Sequence, residues 1–229
     1  MFADGVSLRG ACHLENQDAF QCLPLEDGWL LALSDGLGSK RDSAAGARAL
    51  CAGAARIAQE VPEAWETPVA FAEAVHRDWL ARLGDLDPEE CCATLLAVRV
   101  RGNRAWMVRL GDGFAALRAD GRVHVLADLK DSRFANETDC VSGLLPLEAL
   151  AWKTLDFQEL QGAVLCSDGV ELNETTPRRL GEFTEEFTES FSGLPAGRVQ
   201  ARVRELLEDW PGSDDKTLIY LLRGEEAGE

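Results

Sequence analysis

Residues 29–36 read W-L-L-A-L-S-D-G, and two later stretches repeat the pattern: W-M-V-R-L-G-D-G at 106–113 and G-A-V-L-C-S-D-G at 162–169. In each, an apolar run of strand length ends on Asp-Gly, so Asp35, Asp112 and Asp168 are expected at the rim of a buried sheet. An Asp-Gly pair is ordinarily only a turn, because Asp hydrogen-bonds its own backbone and Gly accepts positive φ. That reading suffices for Asp4-Gly5, Asp27-Gly28 and Asp120-Gly121, which fall between segments where the chain is expected to reverse. A carboxylate fixed by a strand end, however, is positioned better than one on a free loop. Asp214, in G-S-D-D-K-T-L-I-Y-L-L just before the last apolar run, and Asp18, in E-N-Q-D-A-F, are the fourth and fifth candidates. If the strands share one sheet edge these carboxylates converge, and like charges so gathered raise one another's pKa and imply a bound cation. Oxygen ligands favour magnesium, manganese or calcium over zinc. Gly36, lacking a Cβ, can turn its carbonyl toward the same ion.

Outward from these stretches, Ala47, Leu50, Ala54, Ile57 and Val61 recur at helical spacing, as do Phe71, Val75, Trp79 and Leu83 after Pro68. Two consecutive helices are predicted, the first packed on a sheet. After Pro88 the texture changes to short strands, C-C-A-T-L-L-A-V-R-V, N-R-A-W-M-V-R-L, G-F-A-A-L-R-A and R-V-H-V-L-A, which read as an antiparallel meander. A polar stretch over 128–139 reads as a long surface loop. Strands near 151–157 and 162–167, amphipathic helices near 178–191 and 196–209, a last strand K-T-L-I-Y-L-L and a solvated acidic tail complete an α+β chain, read as one domain over 1–229.

The composition excludes several classes of function. With 23 Lys+Arg against 40 Asp+Glu the net charge is −17, so nucleic acid or an anionic membrane surface is repelled. No apolar stretch is long enough to span a bilayer and the first twenty residues lack a signal-peptide layout, so a cytosolic location is expected. Seven cysteines form an odd set without a C-x-x-C pair and read as reduced, mostly buried thiols. A zinc site drawing on His13, His76, His124 and some of these cysteines has no ligand pair at zinc-site spacing.

Taken in order, G-A-C-H-L-E-N-Q-D-A (10–19), L-S-D-G-L-G-S (33–39), C-A-T-L-L (92–96), L-G-D-G (110–113), A-N-E-T (135–138), L-C-S-D-G-V (165–170) and S-D-D-K-T (213–217) resemble the metal-dependent protein phosphatases of type 2C. The similarity is strongest to their divergent bacterial branch. The resemblance implies a four-layer α-β-β-α fold, in which a sandwich of two antiparallel sheets is flanked by helix pairs. It implies a dinuclear manganese or magnesium centre at one end of the sandwich, where a metal-activated water hydrolyses the phosphate monoester of a phosphoserine or phosphothreonine protein, the substrate of a bacterial kinase. By the same resemblance Asp35 bridges both ions, Gly36 adds its carbonyl, Asp168 and Asp214 ligate the second ion, and Asp18 supports the cluster through water. Asp112 corresponds to a ligand of an accessory third ion, whose other Asp is replaced by Leu172.

Other departures from the family pattern fall around the expected phosphate. Gln17 stands for a Glu, Leu37 for a His used by some members, and His13 for the usual phosphate-gripping Arg; His13 reads either as a phosphate contact or as a capping residue. The stretch 128–139 corresponds to a flap beside the site, with Lys130 and Arg133 as solvated charges. These departures leave a second reading beside the enzyme: a phosphatase-fold module with weak or no catalysis that binds a phosphoprotein or regulatory partner.

Overall fold

A computed structural model of the chain describes residues 1–61, 66–127, 138–170, 172 and 176–224. Most of the predicted loop, residues 128–137 with Lys130, Arg133, Asn136 and Glu137, lies outside the described residues, as does the acidic tail from residue 225.

Among the described residues, ten strands form two antiparallel sheets. The first holds β1 (Phe2–Leu8), β6 (Phe114–Ala119), β7 (Arg122–Ala127), β9 (Leu160–Cys166) and β10 (Lys216–Leu222), in the order β1-β10-β9-β6-β7. The second holds β2 (Ala19–Leu25), β3 (Gly28–Ser34), β4 (Leu95–Arg101), β5 (Arg104–Leu110) and β8 (Ala151–Asp156), in the order β2-β3-β4-β5-β8. Side chains alternate across a strand, and here both faces are covered, which explains why the central strands are apolar throughout. Leu31, Leu33, Leu96 and Val98 meet Ala115, Leu117, Leu165 and Ile219 between the sheets. Leu30, Ala32, Leu95 and Ala97 face the other way, against α1 (Ser43–Glu60) and α2 (Pro68–Leu83). Phe114, Val164, Leu218 and Tyr220 face α3 (Pro177–Phe191) and α4 (Ala196–Glu208) on the opposite side. The result is the four-layer α-β-β-α arrangement expected above.

The helix boundaries follow local chemistry. α2 and α3 each open on Thr-Pro: Thr67 accepts from Ala70 N–H at 3.0 Å and Thr176 from Arg179 N–H at 3.2 Å, with Pro in the first turn, where its missing N–H is no loss. In α1, Gly46 lies under the Cys91 carbonyl, and the Trp79 indole donates to the Gly46 carbonyl at 3.0 Å, locking the two helices together.

Three expectations need correction. The four strands after Pro88 are not one meander: β4–β5 and β6–β7 are two hairpins in different sheets, and the chain crosses between them at Gly111-Asp112-Gly113. Gly111 and Gly113 have φ of 95° and 75°, which only glycine adopts without strain, so this Asp-Gly is a change of sheet rather than a reversal within one. Asp4-Gly5 is not a turn at all. It lies inside β1, opposite Tyr220 and Ile219, where a Cβ on Gly5 would stand 2.4 Å from Ile219 Cγ2. The candidate carboxylates do not share one sheet edge either; they gather at one end of the sandwich from both sheets. β1 and β2 were not predicted as strands because they are edge strands, half exposed, and β2 carries Pro24, which an edge tolerates.

Trp79 is fully buried between α1, α2 and the second sheet. Trp79→Ala is expected to lower unfolding stability by ~3–5 kcal/mol in a urea titration, and Trp79→Phe, which loses mainly the bond to Gly46, by ~1–3 kcal/mol.

Candidate metal centre

At one end of the sandwich, strand ends deliver the carboxylates in pairs. Ala19 pairs with Ser34, so Asp18 and Asp35, one residue further on, emerge side by side from the second sheet. Asp168 follows β9 and Asp214 precedes β10 in the first sheet, while Asp112 sits at the crossing between the sheets. One carboxylate oxygen each from Asp35, Asp112 and Asp168 falls within 4.8 Å of the others. These three, with His13, Gly36, Leu37, Gly38, Thr94, Thr138 and Asp214, line a cleft of about 150 Å³. Asp214 is on its exposed side, with its side chain 52% accessible.

The frame around this group is built of hydroxyls and backbone. Thr94 holds Asp35 on both sides: its Oγ1 accepts from Asp35 N–H at 2.9 Å, and its own N–H donates to the Asp35 carbonyl at 2.8 Å. Gly36 donates to the Gln17 carbonyl at 3.2 Å, and a Cβ there would stand 2.7 Å from the Ser43 carbonyl carbon, so the strand-to-helix passage requires glycine. Asp18, buried, receives the hydroxyls of Ser167 at 2.8 Å and Thr217 at 2.6 Å on Oδ2, which ties an aspartate of the second sheet to two residues of the first. Thr138 Oγ1 donates to Asp112 Oδ2 at 2.8 Å.

A residue that the sequence reading passed over, Asp215, organises the N-terminal approach. Buried next to exposed Asp214, it accepts from Gly10 N–H at 2.6 Å, Gln17 N–H at 2.7 Å and His13 Nδ1 at 2.9 Å. Burial opposes charge on His13, but the bond to Asp215 and the charges of Asp215, Asp214 and Asp18 outweigh it and raise its pKa. His13 is the one basic group among the described residues lining the cleft. Gln17 donates through Nε2 to Ser43 Oγ at 2.9 Å. Leu172 packs on the apolar cluster beneath α3 and α4.

The electrostatics of the carboxylates are unfavourable as they stand. Burial, then the charges of Asp18 and Asp168, drive the Asp35 pKa well up. Burial also raises Asp168, although its bond with Asp35 opposes this. Asp18 is pushed up to about 7, chiefly by burial, against the two hydroxyl bonds. Among the described residues, Asp18 Oδ1 and Asp168 Oδ1 are buried without a hydrogen-bond partner. Buried oxygens of this kind demand a compensating charge. A divalent cation with a preference for oxygen, manganese or magnesium, fits this donor set.

A testable consequence concerns Asp18 without metal. Its folded pKa lies above its ordinary value of 3.8, so between about pH 4 and 7 the folded state holds a proton that the unfolded chain has released, and stability from this group falls as pH rises through that window. In chelated protein, Asp18→Asn is expected to exceed wild type by roughly 1–3 kcal/mol near pH 8, with the difference vanishing near pH 4. Thermal melts of both proteins across that range measure it.

Comparison with known proteins agrees with this geometry. No curated protein matches the chain. Among solved structures it is similar to the catalytic domain of the serine/threonine protein phosphatase PstP in complex with two manganese ions, at 22% identity and TM-score 0.65 over 96% of both chains. It is also similar to the Mycobacterium tuberculosis serine/threonine phosphatase PstP/Ppp, at 21% identity and TM-score 0.66 over 97% of this chain and 98% of that one. Staphylococcus aureus Stp1, a serine/threonine phosphatase, is similar at 13% identity and TM-score 0.70, over 95% and 93%. The family model described as protein phosphatase 2C matches residues 10–208, spanning the approach segment, both central hairpins and four of the five candidate aspartates, and the chain therefore belongs to the protein phosphatase 2C family.

Proposed function

We propose that this chain is a manganese- or magnesium-dependent phosphatase of phosphoserine and phosphothreonine proteins, with a dinuclear centre at the strand ends. The observation that carries the reading is the convergence of Asp35, Asp112 and Asp168, beside buried oxygens with no donor among the described residues. Asp35 would serve both ions with the Gly36 carbonyl added beside it, Asp168 and Asp214 would hold the second, Asp18 would act through water, and Asp112 would serve a third. Bound there, the ions would lower the pKa of an attacking water and neutralise the phosphoryl oxygens.

The residues of this chain account for the rest of the chemistry. Thr94 fixes Asp35 through two backbone bonds, so the carboxylate is positioned before substrate arrives. Asp18, held by Ser167 and Thr217 through Oδ2, keeps Oδ1 without a hydrogen-bond partner among the described residues and would orient a water through it. His13, oriented by Asp215 and favoured in its charged form, would hydrogen-bond a phosphate oxygen. A net charge of −17 offers no general attraction to a phosphate, which makes this local positive charge necessary.

Hydrolysis of p-nitrophenyl phosphate and of a phosphothreonine peptide is expected with manganese and absent with chelator. Asp35→Asn and Asp168→Asn should each lose more than about 100-fold in kcat/KM while keeping the wild-type circular dichroism spectrum. His13→Ala should raise KM several-fold with little change in kcat, because ground and transition states lose the same contact. Equal hydrolysis in wild type and both Asp variants would overturn the reading. Phosphopeptide binding without turnover would favour the phosphoprotein-binding module instead.

A further inference from the structure

Beside the carboxylate group, at the rim of the cleft, Cys12, His13 and Asp214 each bring a donor atom to within 4.8 Å of the others. Sulfur, nitrogen and oxygen donors around one tetrahedral ion stand about 3–4 Å apart, so modest side-chain rotation closes the set. The Cys12 side is open to solvent. The backbone that carries it is fixed: Cys12 N–H donates to the Ser213 carbonyl at 3.1 Å, the thiol meets the same carbonyl at 3.0 Å, and the His13 ring is held by Asp215. Residues 12–13 are thereby pinned against 213–215 across the whole length of the sequence. Such restraints around a ligand imidazole orient it for an incoming ion.

The chemistry of this set differs from that of its neighbour. The Asp35 group offers only oxygen, which suits manganese and magnesium; a thiolate, an imidazole and one carboxylate suit zinc. The other two histidines take no part: His76 Nε2 is bonded to the Ser142 carbonyl, and His124 lies on β7, outside any donor group among the described residues. Zinc-site spacing in the sequence could not reveal the set, because Asp214 is supplied from the other end of the chain.

We propose that Cys12, His13 and Asp214 form a zinc-selective site that is distinct in chemistry from the catalytic centre but shares Asp214 and His13 with it, so that zinc inhibits by withdrawing both. On binding, the thiol and the His13 imidazolium each release a proton to solvent and the three donors each give an electron pair to the ion; nothing is oxidised or reduced, and a fourth position stays open. The binding rests on the donor set alone, and the inhibition rests on the function proposed above.

Cobalt, an optical stand-in for zinc, tests the site on the intact chain saturated with manganese. Wild type should show one sulfur-to-cobalt charge-transfer band per chain, displaced by zinc. Cys12→Ser should lack the band and bind zinc at least tenfold more weakly by calorimetry, whereas Cys140→Ser, which removes another partly exposed thiol, should keep both. Manganese-dependent hydrolysis by Cys12→Ser should match wild type, with the half-inhibiting zinc concentration at least tenfold higher. Absence of the band in wild type, or undiminished zinc affinity in Cys12→Ser, would overturn the site. Equal zinc inhibition of the two proteins, with the band present, would overturn the inhibitory coupling. Should manganese support no hydrolysis at all, the proposed function fails while the cobalt band and zinc calorimetry still decide the site.

Discussion

Repulsion among carboxylates held in a fixed frame governs the active end of this molecule. Asp18, Asp35, Asp112, Asp168 and Asp214 are supplied by elements that cannot separate without unpairing strands, and burial raises the pKa of Asp18, Asp35 and Asp168. A protein with no use for cations would gain stability by replacing some of them with neutral side chains. Their persistence at strand ends, rather than on loops that could relax, marks the frame as preorganised for positive charge.

The frame is stiff because each part of it is held from more than one side. Both sheets are covered on both faces, so the strands that carry Asp35 and Asp168 are packed along their length before the site begins. Asp18 joins the sheets through Ser167 and Thr217, and Asp215 draws Gly10, His13 and Gln17 down onto β10. Two adjacent aspartates thus have opposite tasks: buried Asp215 serves the backbone, and exposed Asp214 serves the cleft.

The architecture was legible where the pattern is local. Helical spacing over Ala47–Val61 and Phe71–Leu83, the Asp-Gly ends of three apolar runs, and the alternating last strand all correspond to observed elements, and four of the candidate aspartates, Asp35, Asp112, Asp168 and Asp214, line one cleft. What the sequence concealed depends on contacts far apart along the chain. Edge strands β1 and β2 lack the continuous apolar character of buried ones, so Asp4-Gly5 looked like a turn. The change of sheet at Gly111-Asp112-Gly113 resembles any hairpin until the partners of β5 and β6 are known. Asp215, Thr94 and Thr138 are ordinary polar residues whose roles arise only from what packs beside them. All three stand within the family motifs S-D-D-K-T, C-A-T-L-L and A-N-E-T, which is the one signal the sequence offers for them.

The bonds that complete the approach to the cleft join residues at opposite ends of the sequence: Gly10 to Asp215, 205 positions apart, and Asp18 to Thr217, 199 apart. Contacts of such separation carry a large loop-closure entropy and form late in folding. A chain emerging from the ribosome can assemble the β2–β5 sheet and its helix pair early, yet it has no complete carboxylate frame until its last strand has been made and inserted between β1 and β9. Synthesis of this protein therefore has a built-in order, in which the β2–β5 layer precedes the site and the last strand completes the first sheet and the carboxylate frame together.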